Sequence, residues 1–145
     1  MKPELIVALD VPETAQMAPM VDRLPSAVEW YKVGLELFCA EGPAALLPLK
    51  ERGKKLFLDL KLHDIPRTVA RAVKSAAKHG ARMITLHATG GHAMMEAAAA
   101  AAKECGEGAP KLLAVTVLTS LDMKDLHAVG ILRAPAAQAQ VLAEM

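Results

Sequence analysis

Apolar residues fall in short runs separated by amphipathic stretches, and this alternation repeats along the chain. Leu5–Leu9, Val28–Val33, Lys55–Leu60, Met83–His87 and Leu112–Leu118 read as strands, most of them nearly continuous in apolar residues. Runs of that kind suit strands covered on both faces, as in parallel sheets. The intervening pattern predicts helices near Glu13–Leu24, Gly42–Arg52, Pro66–His79 and Gly91–Cys105. Pro66 fits a first helical turn and Gly80 a helix end. The alanine run Ala97–Ala102 favours helix by itself. The order is βα four times, then a fifth strand and the opening of a fifth helix.

The charged and hydroxyl residues that interrupt this pattern gather in one place. Asp10 follows strand one, Lys32 sits near the end of strand two, and Asp59 and Lys61 end strand three. His87 ends strand four, and Thr119 and Ser120 end strand five. C-terminal strand ends form the face where parallel α/β folds bind ligands. The densest group is Asp59-Leu60-Lys61-Leu62-His63-Asp64, an Asp-x-Lys-x-x-Asp pattern that breaks an apolar run. Side chains two apart on a strand project the same way, so Asp59 and Lys61 should face one another. Asp64 lies beyond the strand, where the chain turns into a helix. With Pro66 as first helical residue, Ile65 takes the cap position and Asp64 stands outside it.

Composition narrows the classes. The 145 residues suffice for one domain with a real core. No apolar run approaches membrane-spanning length, so no membrane partner is expected. A net charge of +1 and three per cent aromatics argue against a nucleic-acid partner. Cys39 and Cys105 lack metal or redox spacing and point to a reduced, cytoplasmic compartment. Met1-Lys2-Pro3-Glu4 leads straight into a strand, so no signal peptide is expected. His87 and His92 lack a third ligand at sensible spacing, and no metal is expected. His63 reads as a packing residue of its loop or of a subunit contact. A closed (β/α)8 barrel takes about 250 residues. The pattern therefore leaves two folds open: a five-stranded open sheet, or the first part of a barrel.

Five blocks carry a resemblance. They are Val7-Ala8-Leu9-Asp10, Tyr31-Lys32-Val33-Gly34, the run Phe57–Val69, Leu86-His87-Ala88-Thr89-Gly90-Gly91, and Ala114–Ser120. In this order and spacing the chain resembles the orotidine 5′-phosphate decarboxylase family, and the run Phe57–Val69 is the specific part. The resemblance implies a (β/α)8 TIM barrel, with residues 1–145 a single partial barrel domain of about five βα units, truncated before strand six. It implies a homodimer with shared active sites, and UMP formation, the last step of de novo pyrimidine biosynthesis. The Gln and Arg with which the family holds the substrate phosphate belong to later loops. The chain alone is therefore expected to be inactive.

Decarboxylation of orotidine 5′-phosphate leaves a C6 carbanion that the ring delocalises poorly. No cofactor is implied, so fixed protein charge must stabilise it. By resemblance Lys61 opposes the carbanion and supplies the proton, and Asp59 lies near the departing carboxylate and keeps Lys61 charged and oriented. Asp64 and Ile65 reach into the neighbouring subunit's site, and Thr68 contacts the ribose from the same loop. Asp10 and Lys32 bind ribose hydroxyls, completing a Lys–Asp–Lys–Asp array. Thr119, with Ser120 as the alternative, contacts the pyrimidine or its phosphate. Two other readings stand beside this one. The first is a Mg2+-dependent sugar-phosphate decarboxylase or synthase of the same suprafamily, which has a glutamate where Lys32 stands. The second is a non-catalytic fragment that pairs with another chain through its two open sheet edges.

Overall fold

A computed structural model describes residues 3–145. Met1 and Lys2, on which the expected absence of a signal peptide partly rests, lie outside the described residues. Five strands form one parallel sheet: β1 (Ile6–Ala8), β2 (Trp30–Gly34), β3 (Lys55–Leu62), β4 (Ala81–His87) and β5 (Lys111–Val115). Their order across the sheet is their order in the chain. Doubly wound sheets reverse direction at a switch point, whereas a barrel adds each strand beside the last. Sequential order therefore decides for the (β/α) barrel architecture over the open doubly wound sheet.

Helices α1 (Met17–Asp22), α2 (Leu35–Glu41), α3 (Leu47–Glu51), α4 (Pro66–Lys78) and α5 (His92–Lys103) connect the strands. After β5 come α6 (Met123–Ala128) and α7 (Pro135–Ala143). Helix α4 buries Val69, Val73 and Ala76, the spacing of one helical face. Helix α5 buries Met94, Ala98, Ala101 and Ala102, where small side chains let the two helices approach closely. The core lies between these helices and the sheet, around Leu9, Tyr31, Val33, Leu37, Leu58, Ile84 and Leu86. Gly80 closes α4 at φ 94°, a left-handed conformation that a side chain would strain.

Several expectations need correction. The second helix begins at Leu35, not Gly42, because the extended Gly34 already starts it. Gly42 at φ 59° then ends that helix, and the chain resumes through a tight turn into α3. Gly42-Pro43 is thus a break between two helices. The first helix opens as a short tight turn at Thr14–Gln16 and is α-helical only over Met17–Asp22. Strand β5 ends at Val115, opposite His87, so Thr119 and Ser120 do not end a strand. Beyond His87, β4 offers no further backbone partners, and the chain turns at Leu118–Leu121. Coverage on both faces holds for β2 and much of β4, but β1 and β5 at the sheet edges are largely exposed.

Candidate active site

The strand ends converge on a cleft of about 180 Å³ whose lining includes Asp10, Lys32, Gly34, Asp59 and Lys61. The polar groups arrive from three successive strand units. Asp10 stands two residues past β1, Lys32 lies within β2, and Asp59 and Lys61 lie near the end of β3. Lys32 Nζ donates to Asp10 Oδ1 at 3.1 Å and lies 3.7 Å from Asp59 Oδ2. Lys61 Nζ is 3.0 Å from both Asp59 oxygens. The result is a chain of alternating charges, Asp10–Lys32–Asp59–Lys61, running across three adjacent strands.

Regular strand geometry does not produce this meeting. Between the pairs Leu58–Ile84 and Leu62–Leu86, β3 advances four residues while β4 advances two. The surplus is a bulge, which takes residues out of the ladder and re-aims their side chains. Lys61 sits in it at φ 50°, the one non-glycine among the described residues with positive φ. Such a conformation costs on the order of 1 kcal/mol or more and persists only where the surroundings impose it. Its backbone N–H donates to Thr85 Oγ1 at 2.9 Å, and that hydroxyl donates to Asp59 Oδ1 at 2.8 Å. Simple alternation therefore leads to the right neighbours for the wrong reason.

Burial raises the affinity of Asp59 for a proton, but hydrogen bonds from Lys61 and Thr85, with the charges of Lys61 and Lys32, outweigh it. The carboxyl is held below its usual range and is ionised at neutral pH. His87 is moved down by burial first, then by His63 and Lys61. Its ring packs against His63 of the following loop, centroids 5.4 Å apart.

Asp64, Ile65 and Thr68 do not join the cluster. All three are exposed, Ile65 to 66%. Asp64 Oδ1 accepts from the Ile65 backbone N–H at 2.6 Å, and Ile65 is the cap of α4, as the position of Pro66 implies. Thr119 lies in the exposed turn after β5. The residue that sequence reasoning missed is Thr85. Its one signal was a hydroxyl in the apolar run Met83–Leu86, which a strand threonine explains equally well.

A larger cavity, about 600 Å³, opens at the opposite ends of the strands beside Lys54, Lys55 and Arg82. Those cations are already engaged: Lys54 by Ser26 and Val28 carbonyls, Arg82 by that of Glu107, and Lys55 by Glu29. The charged cleft at the C-terminal ends is the better reaction site.

Comparison with known proteins gives the family and the fold. Residues 3–145 match the model of the Orotidine 5′-phosphate decarboxylase / HUMPS family. An orotidine 5′-phosphate decarboxylase of Moorella thermoacetica is 51% identical over 137 residues, covering 91% of this chain and 54% of that protein. The crystal structure of the Lactobacillus acidophilus orotidine 5′-phosphate decarboxylase superposes with TM-score 0.89 at 38% identity, covering 98% of this chain and 66% of that one. The Methanocaldococcus jannaschii orotidine 5′-monophosphate decarboxylase, complexed with the inhibitor BMP, has TM-score 0.79 at 27% identity, covering 99% and 62%. The chain spans little more than half the length of the Moorella relative. With the charged array at the mouth of a sequentially ordered parallel sheet and a family match along its described length, the chain belongs to the orotidine 5′-phosphate decarboxylase / HUMPS family.

Proposed function

We propose that this chain supplies the proton-transfer and ribose-binding half of an active site that decarboxylates orotidine 5′-phosphate to UMP. One observation carries the reading: the Lys61 ammonium is anchored to both Asp59 oxygens at the open end of the sheet. A cation held there opposes negative charge developing at the reacting carbon without reorganising during the reaction. The same ammonium is a proton source for that carbon once carbon dioxide leaves. Asp59 holds Lys61 oriented, and Lys32 links Asp59 to Asp10, which takes the ribose hydroxyls. No cofactor enters the reaction.

The exposure of Asp64, Ile65 and Thr68 supports their role in a neighbouring subunit's site, as in a homodimer with shared sites. Thr119 is the proposed contact to the pyrimidine or its phosphate. In this reading residues 1–145 are one partial barrel domain ahead of strand six, and the enzyme is cytoplasmic. Among the described residues no helix is long and apolar enough to cross a membrane. Against a metal-dependent sugar-phosphate chemistry stands Lys32, whose ammonium occupies the position between Asp10 and Asp59 and would repel a divalent cation. The test is loss of orotidylate absorbance with a full-length polypeptide carrying this chain. Turnover on orotidylate supports the reading; turnover only on a sugar phosphate overturns it.

A further inference from the structure

We propose that Thr85 is a positioning residue whose hydroxyl clamps the β3 bulge and thereby sets where the Lys61 ammonium stands; this rests on the decarboxylase reading above. Thr85 occupies the single β4 position between Ile84 and Leu86, directly opposite the surplus residues of β3. It is 5% exposed, so solvent cannot readily replace its hydrogen bonds. A hydroxyl has one proton to give and lone pairs to accept with. Here it gives the proton to Asp59 Oδ1 and accepts the Lys61 backbone N–H.

Both ends of the Asp59–Lys61 pair are therefore tied to one atom. The carboxylate is fixed by Thr85 from one side and by the Lys61 ammonium from the other. The Lys61 backbone, which left the β4 ladder at the bulge, finds its replacement acceptor in the same hydroxyl. Among the described residues, the Thr85 hydroxyl is the side chain that accepts the Lys61 N–H. Valine has the right shape and neither bonding capacity; serine keeps both and loses only the methyl.

The test compares the full-length parent with Thr85→Val and Thr85→Ser. Losing a buried hydrogen bond to a charged group should lower kcat about tenfold to a hundredfold in Thr85→Val. KM should stay within about threefold, because the hydroxyl touches the machinery and not the substrate. The Asp59 carboxyl, followed by carbon-13 NMR, should titrate at higher pH in Thr85→Val, and Thr85→Ser should restore both readouts. Equal impairment of the serine and valine variants with Asp59 titration unmoved would mean Thr85 only packs the core, and would overturn the proposal. So would a kcat for Thr85→Val within about twofold of the parent. If the valine variant fails to fold, amide exchange in the parent decides: Lys61 N–H should exchange slowly, and fast exchange refutes the clamp. A parent inactive on orotidylate would defeat the decarboxylase reading while the NMR readouts still judged Thr85.

Discussion

Lys32 and Asp59 face each other across adjacent strands, with Nζ 3.7 Å from Oδ2, while Lys32 also donates to Asp10 at 3.1 Å. The pairing of Lys32 with Phe57 and of Gly34 with Asp59 sets this reach. A side chain on Gly34 would begin 3.5 Å from Lys32 Nζ and 3.7 Å from Asp10 Oδ1. Both are ordinary contact distances, so Gly34 lines the charged array without being demanded by space there. Two carboxylates beside each other would repel, and the intervening ammonium offsets that repulsion.

In the proposed reaction lysine supplies the cationic charge, so activity of the full-length polypeptide should survive exhaustive chelation. The check is activity on orotidylate before and after EDTA. Loss of activity that Mg2+ restores would place the chain with metal-dependent sugar-phosphate enzymes instead.

In the proposed reaction, replacing Lys61 with alanine removes the charge opposite the carbanion together with the proton donor. Loss of one electrostatic donor typically costs about 10²–10³ in rate, and this substitution should cost more. Steady-state kinetics of Lys61→Ala measure it, and turnover within about tenfold of the parent would contradict that assignment.

Asp64 stands exposed, away from the Lys61 cluster of its own chain. If it serves the neighbouring subunit, Lys61→Ala and Asp64→Ala chains should complement when mixed. One site of each heterodimer then has both residues intact. Heterodimers verified by mass yet inactive would refute shared sites.

Folding favours the ionised form of Asp59, whose carboxyl is depressed below the ordinary 3.8. Its contribution to stability is therefore full above that value and is lost as pH falls through the depressed one. Thermal midpoints of the parent and Asp59→Asn should differ most near neutral pH and converge on acidification. A gap that stays constant down to unfolding in acid would falsify the sign.

Local signals determined much of this protein by themselves. The apolar run of β3, the Pro66 start and Gly80 end of α4, and the 69–73–76 spacing of its buried face are short-range features, so they were legible residue by residue. The Asp-x-Lys-x-x-Asp pattern was legible for the same reason, since charge inside an apolar run is anomalous wherever the run folds. The split between α2 and α3 was hidden because Gly42-Pro43 signals a helix start and a helix break equally well. The end of β5 was hidden because a strand stops where its neighbour stops offering partners, at His87, a property of another segment. The resemblance implied an array of Asp10, Lys32 and Asp59, and the tertiary structure brings these groups from separate β-strand units within reach of one another. Only the tertiary structure decided that a four-residue step of β3 would lie against a two-residue step of β4. That mismatch forces Lys61 into a left-handed conformation and gives its N–H to Thr85. Strand register depends on matching the patterns of two segments distant in the chain, so a bulge between them is not legible from either one alone.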